Sequence, residues 1–251
     1  MTDKSWFYKE LGASENTIHW LHGWGTSHAS FSRMAELFKK DASNRLYDLP
    51  GFGNTPALSK DAGTFEYSEA FIKQLDPSQS HIIIGHSYGG RVAIQLAAKY
   101  PDRIKAIILV AGAGLQRKRS LKFKTRAFLL RTLGKLARFS DSLFKTSFRE
   151  AYTNKFGSTD YKNAGVLRQT LVKAVTEDLS PQAREVRCPT LLVYGSEDTD
   201  TPPEIGRKYE RLIPLARYEE LSGYDHHDIL SRGAYQCEAL IKAFLKDIEN
   251  A

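Results

Sequence analysis

A serine between two glycines, in the stretch Gly85-His86-Ser87-Tyr88-Gly89, carries the clearest chemical signal in this chain. The pattern is typical of a nucleophile elbow, a sharp turn that joins a buried strand to a helix. Such a turn holds its serine at a strained backbone angle, and glycine is needed on both sides because larger side chains would collide there. We therefore expect Ser87 to present its hydroxyl to a pocket as a nucleophile.

The sequence on both sides of Ser87 supplies the strand and the helix that this turn requires. Residues 81–84 form an isoleucine-rich run that is typical of a buried parallel strand. Residues 90–100 place apolar side chains at helical spacing, Pro101 ends the helix, and residues 104–111 form a second apolar run. The predicted local order is strand, turn, helix and parallel strand.

The same alternation of strands and helices extends through most of the chain. Further strands are predicted near residues 18–21, 45–48, 190–194 and 217–221, and further helices near residues 30–39, 64–75, 203–212 and 234–248. This order indicates an α/β fold with a mostly parallel, doubly wound sheet. Between residues 115 and 181 the alternation gives way to helical sequence. We therefore predict a core made of residues 1–114 and 182–251, with residues 115–181 inserted between strands as a helical lid.

A serine hydroxyl is a poor nucleophile at neutral pH, so it needs a histidine base and a carboxylate that orients the histidine. The loop after the strand at 190–194 carries Asp198 and Asp200. The segment after the strand at 217–221 carries His226 and His227. Both segments follow the carboxyl end of a predicted strand, as Ser87 does. The residues alone leave the choice within each pair open.

Several motifs, taken in order, resemble those of the α/β-hydrolase family over essentially the whole chain. They are Leu21-His22-Gly23-Trp24-Gly25, Asp48-Leu49-Pro50-Gly51-Phe52-Gly53, Gly85-His86-Ser87-Tyr88-Gly89-Gly90, Tyr100-Pro101-Asp102-Arg103-Ile104, Gly195-x-x-Asp198 and Gly223-x-x-His226. The first two also resemble the pimeloyl-carrier-protein methyl ester esterases and related carboxylesterases. Asp225 stands where the family usually has glycine.

The resemblance implies a role for each site residue. Asp198 would be the acid and His226 the base, with Asp200 and His227 as their rivals. The backbone N–H groups of Trp24 and Tyr88 would form an oxyanion hole, and the side chains of these two residues would line the substrate pocket. His22 and Asp48 are expected to brace their loops rather than to transfer protons. The remaining histidines have no metal-ligand spacing and no phosphate-binding loop is present, so no metal or cofactor is expected.

Positive charge is concentrated in one part of the inserted segment. The whole chain carries a formal net charge of +7, whereas residues 115–150 alone hold eleven basic residues against two acidic ones. Within this stretch Phe128 and Leu129 recur at helical spacing with other apolar residues, opposite Arg131, Lys135 and Arg138, which predicts an amphipathic cationic helix. Its apolar face would cover Ser87, and we expect Phe128 and Leu129 to line the pocket.

Three interpretations of the cationic lid remain open. Its charged face is merely solvated, or it docks an acidic carrier protein, or it contacts an anionic membrane surface. Nucleic acid is not expected as a partner because no recognition module accompanies the charge. The chain also has no predicted signal peptide or membrane span, so a cytoplasmic location is expected by default.

The function expected from these features is that of a serine hydrolase acting on a carboxylic ester or thioester. The same set of residues is compatible with carbon–carbon bond hydrolases of the fold and with an esterase for acyl-carrier-protein methyl esters. A non-catalytic binding protein of the fold is the alternative from another class.

Two cysteines, Cys188 and Cys237, make no disulfide framework, and Cys188 is expected to be a buried thiol.

Overall fold

One seven-stranded sheet forms the centre of the protein. The structure is a computed structural model that describes residues 5–59, 61–117, 125, 132 and 159–250. The strands are β1 (Tyr8–Leu11), β2 (Thr17–Leu21), β3 (Ser43–Tyr47), β4 (His81–His86), β5 (Ile104–Val110), β6 (Thr190–Gly195) and β7 (Ala216–Leu221). Their spatial order is β1-β3-β2-β4-β5-β6-β7. Strand β1 pairs with β3 in antiparallel orientation, and every other pairing is parallel.

The helices connect the parallel strands. They are α1 (Ser32–Glu36), α2 (Thr64–Phe71), α3 (Tyr88–Lys99), α4 (Thr159–Asn163), α5 (Arg168–Thr176), α6 (Ser180–Glu185), α7 (Pro203–Leu212) and α8 (Ala234–Glu249). Short 3-10 turns occupy His28–Phe31, Ile72–Gln74, Pro101–Arg103, Gly165–Leu167 and Asp228–Leu230. The predicted α/β class with a mostly parallel sheet is therefore confirmed.

Apolar side chains form one core on each face of the sheet. On one face α2, α3, α6 and α7 pack against the strands, with Phe71, Leu96 and Tyr209 among the buried residues. On the other face α1 and α8 pack together over the sheet, with Met34 and Ile241 buried between them. Strands β4, β5 and β6 are buried on both sides, which explains why their sequences are continuous apolar runs rather than alternating ones.

The parallel strands end at one edge of the sheet, and this edge positions the candidate site. Ser87 directly follows β4, the Asp198 loop follows β6, and the His226 loop follows β7. Helix α3 begins immediately after Ser87, two residues earlier than the sequence predicts. Residues far apart in the sequence therefore converge at one end of the sheet, which is where open α/β sheets bind ligands.

The longest described stretch of the inserted segment, residues 159–181, is mostly helical. Helices α4 and α5 lie wholly within residues 159–181, and α6 begins there. The predicted division into core and lid otherwise rests on residues outside the described ranges, so it stays a prediction. Within the described ranges, no helix has the length and apolar composition needed to cross a membrane.

Candidate active site

Ser87 lies at a strained turn between β4 and α3. Its backbone has φ of 48° and ψ of −107°, a conformation that non-glycine residues rarely adopt. The turn is held by the Ser87 N–H, which donates to the Val110 carbonyl (3.3 Å), and by the Ser87 carbonyl, which accepts from Gly90 (3.1 Å) and Ala113 (3.1 Å). The strain is thus fixed by the backbone of β5 and of the residues that follow it.

The two glycines of the elbow allow backbone segments to approach each other closely. A β-carbon on Gly85 would lie 2.6 Å from the Gly89 carbonyl carbon and from the Gly90 nitrogen. A β-carbon on Gly89 would lie 2.0 Å from the Leu21 carbonyl oxygen at the end of β2. Such distances are too short for any side chain. This explains why the sequence has glycine at both positions of the elbow.

Replacing Gly89 with alanine should therefore destabilise the fold strongly. We expect a loss of roughly 3 kcal/mol in the free energy of unfolding, because the clash is with backbone that cannot move without disturbing β2. Gly165→Ala is a control without a clash, since Gly165 has a positive φ (49°), which Gly89 does not have, but has open space around it. Its cost should be limited to about 1 kcal/mol of backbone strain. Equal losses in chemical denaturation would contradict the steric explanation.

Asp198 and His226 form a buried pair. The Nδ1–H of His226 donates to Asp198 Oδ2 at 2.7 Å, and both side chains are almost fully buried. Because the carboxylate accepts the proton of Nδ1, the Nε2 atom of neutral His226 is left with a free lone pair. Asp200 and His227, the two rivals, are exposed in their loops, and among the described residues neither side chain forms a hydrogen bond with Ser87, Asp198 or His226.

Asp198 is held in its ionised form. Its Oδ1 accepts the backbone N–H groups of Asp200 and Thr201, each at 2.8 Å. Burial alone would raise the pKa of Asp198, but the hydrogen bonds from His226 and Thr201 outweigh that effect and the pKa is lowered. A negative carboxylate therefore faces His226 at neutral pH.

Thr201 is a residue of this site that sequence reasoning missed. Its hydroxyl lies 2.9 Å from Asp198 Oδ2, 2.9 Å from the Ala111 carbonyl and 3.1 Å from His226 Nδ1. It thereby ties the Asp198–His226 pair to the end of β5. Nothing in the sequence distinguishes Thr201 from Thr199, because the contact depends on how the loop folds back over Asp198.

His86 braces the loop that carries His226. Its Nε2–H donates to the His226 carbonyl at 2.9 Å, and the two rings lie 4.7 Å apart between centroids. Burial lowers the pKa of His86 to about 3, so the ring is neutral and is not suited to transferring protons at neutral pH.

His22 shapes the loop that follows β2. Its Nδ1–H donates to the Gly23 carbonyl (2.7 Å), and its Nε2 accepts the Leu49 N–H (2.9 Å). Burial lowers its pKa to about 4. Gly23 is needed beside it because a β-carbon there would lie 2.7 Å from His86 Nδ1. The His22 carbonyl also accepts the Gly89 N–H (3.1 Å), which joins this loop to the Ser87 elbow.

The backbone N–H groups of Trp24 and Tyr88 make no hydrogen bond to any described residue. Trp24 follows the His22-Gly23 loop, and Tyr88 is the first residue of α3, where helix N–H groups lack internal partners. The rings of Trp24 and Tyr88 lie 5.4 Å apart and pack edge to face. These two residues thus offer free donors beside Ser87.

A cavity of about 450 Å³ brings these residues together. Ser87, His226 and Thr201 line it, as do the predicted pocket residues Trp24 and Tyr88. Helix α5 contributes a further wall with Leu171, Ala174 and Val175. No hydrogen bond joins the Ser87 hydroxyl to His226 among the described residues. The other two predicted pocket residues, Phe128 and Leu129, lie outside the described ranges.

Other chemically conspicuous residues have structural roles. Asp48 is buried and accepts hydrogen bonds from the backbone and ring of His28 and from the backbone and amide of Asn54. Burial raises the pKa of Cys188 to about 11 and that of Cys237 to about 12, so both thiols are protonated at neutral pH. Within the described part of the chain, no group of three His, Cys, Asp or Glu side chains could hold a metal ion.

Curated proteins similar to this chain are esterases. The pimeloyl-[acyl-carrier protein] methyl ester esterase of Chromobacterium violaceum is 28% identical over 249 residues, covering 90% of this chain and 92% of that protein. The corresponding esterase of Salmonella typhi is 27% identical over 242 residues, covering 88% of this chain and 91% of that protein.

Solved structures show the same fold. A thermophilic esterase from Thermogutta terrifontis superposes with a TM-score of 0.70 at 19% identity, covering 96% of this chain and 93% of that one. The enol-lactonase from Burkholderia xenovorans LB400 superposes with a TM-score of 0.69 at 22% identity, covering 96% of each chain. The sequence model of the α/β hydrolase fold matches residues 16–232. Since this match spans most of the chain, the protein belongs to the α/β-hydrolase family.

Proposed function

We propose that this protein is a serine hydrolase that cleaves a carboxylic ester or thioester through an acyl-enzyme intermediate. The observation that carries the proposal is the buried pair of His226 and Asp198, joined at 2.7 Å, on the same cavity as the strained Ser87. A nucleophile, a base and an orienting acid are the three groups that acyl transfer by serine requires.

In the first half of the proposed reaction, the Ser87 hydroxyl attacks the ester carbonyl carbon while His226 Nε2 takes its proton. Asp198 keeps His226 in the tautomer that leaves Nε2 free, and stabilises the imidazolium that forms. The tetrahedral intermediate collapses when His226 returns the proton to the leaving alcohol or thiol, and the acyl group stays on Ser87. In the second half water attacks the acyl-enzyme and His226 takes the water proton, which it passes to the Ser87 oxygen as the acid is released.

In this proposal the backbone N–H groups of Trp24 and Tyr88 stabilise the negatively charged oxygen of the tetrahedral intermediate. Their freedom from other hydrogen bonds in the described part of the chain supports this role, because a donor that is already paired could not turn to the oxyanion. Each such donor accelerates acyl transfer by about a hundredfold or more. The close packing at Gly23 and Gly89 holds the two donors at a fixed separation.

Thr201 is assigned a positioning role, which a substitution can test. Thr201→Val keeps the shape but removes the hydroxyl that contacts Asp198 and His226, so kcat should fall about tenfold, the value of one hydrogen bond to a charged group. KM should change little, and Thr201→Ser should restore most of the rate because it keeps the hydroxyl. Equal kcat values for Thr201→Val and the wild type would show that this hydroxyl does not support the pair.

A panel of substrates tests the proposed function directly. It should span ester chain length, thioesters and vinylogous diketones, with Ser87→Ala as the blank for each. Hydrolysis of esters or thioesters that disappears in the blank supports the proposal. Cleavage of the diketones alone would instead identify a carbon–carbon bond hydrolase. A folded wild-type protein that binds these compounds and cleaves none would be a binding member of the fold.

A second candidate substrate is the methyl ester of an acyl group attached to an acyl carrier protein. Two bacterial relatives named as pimeloyl-[acyl-carrier protein] methyl ester esterases support this candidate. They are 28% and 27% identical to this chain and cover 90% and 88% of it. The excess of basic residues between 115 and 150 also suits an acidic carrier. Carrier binding should weaken with salt and upon joint charge reversal of Arg131, Lys135 and Arg138. Binding that resists both would exclude this mode of docking.

A further inference from the structure

Arg91 occupies a special position relative to Ser87. It lies four residues further along, in the first turn of α3, and lines the same cavity. Four residues of helix rise about 6 Å, so the Arg91 backbone lies about one turn from the elbow. The side chain of Arg91 is 12% exposed, so most of it is buried at the wall of this cavity.

The guanidinium of Arg91 makes no hydrogen bond to any described residue. Its Nη1 is buried without a hydrogen-bond partner, and the nearest opposite charge, Glu177 Oε2, lies at 3.6 Å. A guanidinium has five N–H donors, and leaving such donors unpaired away from water is unfavourable. Arg91 is therefore a charged donor group with unused hydrogen-bonding capacity beside the proposed nucleophile.

Glu177 is held by other residues and does not satisfy Arg91. Both of its carboxylate oxygens lie within hydrogen-bonding distance of the Thr64 hydroxyl, at 2.6 Å and 2.7 Å, and the Gln95 amide donates to it at 3.3 Å. This network fixes Glu177 between α2 and α3. The carboxylate faces Arg91 Nη1 at 3.6 Å, too far for a hydrogen bond, and no hydrogen bond to a described residue occupies Nε or Nη2 of Arg91.

We propose that Arg91 binds an oxygen acceptor of the substrate, at a carbonyl or carboxylate group separate from the ester that Ser87 attacks. This assignment rests on the proposed function and narrows its substrate class to esters that carry a second oxygen-bearing group. The planar guanidinium donates hydrogen bonds most favourably to planar oxygen acceptors. A carbonyl and a carboxylate both offer such oxygens. The opposite charge of Glu177 favours the carbonyl over the carboxylate, which is repelled by Glu177 while it is attracted by Arg91.

Matched pairs of esters test the proposal. Each pair has equal chain length, one member being a plain alkyl ester and the other bearing a keto or carboxylate group; one set carries the group on the acyl side and another on the alcohol side. The measured quantity is the ratio of the two kcat/KM values within a pair. In the wild type we expect a preference of about tenfold or more for the oxygen-bearing member in at least one set.

Substitution of Arg91 should remove this preference. In Arg91→Met the ratio should fall toward one, and Arg91→Gln should retain part of it because an amide still donates. Arg103→Met is a matched control: Arg103 also has a buried nitrogen, Nε, without a partner, but it contacts the Asp76 carbonyl and does not line the cavity. The control should keep the wild-type ratio. Glu177→Gln should raise the ratio for carboxylates more than for ketones.

The outcomes separate the two proposals. A preference that Arg91→Met loses, that Arg91→Gln keeps only in part and that Arg103→Met keeps in full supports the subsite. A ratio near one in every set of the wild type, or the same ratio in the wild type and in both Arg91 variants, overturns it while leaving the serine hydrolase intact. If the wild type hydrolyses no ester at all, the proposed function fails and the subsite fails with it.

Discussion

Replacing Ser87 with alanine should abolish ester hydrolysis. The change removes one oxygen atom, and with it the only atom that can carry the acyl group in the proposed mechanism. We expect kcat to fall by roughly 10⁴-fold to 10⁶-fold, as it does when the nucleophile of a serine triad is removed. The residual rate would come from substrate binding and from the N–H donors of Trp24 and Tyr88. Initial rates with a chromogenic ester measure this loss.

A matched serine shows whether the effect is specific. Ser78 is exposed in the turn before β4, at the opposite end of this strand from the elbow, and among the described residues its hydroxyl bonds only with the nearby Asp76. Ser78→Ala should keep the wild-type rate. Circular dichroism and thermal unfolding should show that Ser87→Ala is folded, since its hydroxyl makes no hydrogen bond with the described residues. A folded Ser87→Ala variant with more than a tenth of the wild-type rate would contradict the assignment of Ser87.

Acid should destabilise the fold steeply, because three buried histidines are neutral in it. Burial lowers the pKa of His19 to about 3, that of His22 to about 4 and that of His86 to about 3, from the ordinary value of 6.5. The unfolded chain therefore binds these protons as pH falls below 6.5, whereas the folded chain does not. Their contribution is complete above pH 6.5 and is lost progressively as the pH falls from 6.5 to about 4 for His22 and to about 3 for His19 and His86.

The size of the loss follows from the shifts. Between pH 7 and pH 5 each of the three histidines should reduce the free energy of unfolding by about 2 kcal/mol, or roughly 6 kcal/mol in all. That is comparable with the whole stability of many domains. Urea denaturation at pH 7, 6 and 5 measures it, and near pH 5 the slope should correspond to an uptake of nearly three protons upon unfolding.

The hydrogen bonds around His19 explain why its neutral form is required. The His81 Nε2–H donates to the Asp76 carbonyl (3.0 Å), so His81 Nδ1 accepts the His19 Nε2–H (3.2 Å), and His19 Nδ1 accepts the Tyr47 hydroxyl (3.2 Å). A proton added at His19 Nδ1 would remove the acceptor of the Tyr47 hydroxyl, and burial disfavours the positive charge that it would create. His19→Gln should remove about a third of the pH slope. A free energy of unfolding that is constant from pH 7 to pH 5 would show that the three buried rings do not titrate this way.

The fold could be predicted from the sequence wherever burial is strong. Strands β4, β5 and β6 are buried on both faces, so their apolar runs identify them within one or two residues. Strand β1 could not be predicted, because Tyr8–Leu11 is mostly exposed at the sheet edge and has the polar sequence that an edge strand needs. The sequence also predicts the start of α3 two residues too late, at residue 90 instead of Tyr88. The strained turn occupies only Ser87, so the helix begins directly after it.

The candidate site divides in the same way. Ser87, Asp198 and His226 belong to motifs with fixed spacing from glycines, and the sequence could indicate all three. The choice between His226 and His227 depends on which ring reaches Asp198, and only the fold determines that. Thr201 and Arg91 carry no motif of their own. Their importance arises from contacts between α3, α5 and the loops after β5 and β6, which no local pattern encodes.

The most direct test of the account is covalent labelling with a fluorophosphonate, followed by mass spectrometry of the digested protein. This reagent reacts with a serine only when a base and an oxyanion hole activate it. We expect a single adduct on the peptide that contains Ser87, absent from the folded Ser87→Ala and strongly slowed in His226→Ala. Ester hydrolysis by a wild-type protein that takes up no label, or an adduct on another residue, would contradict the central claim.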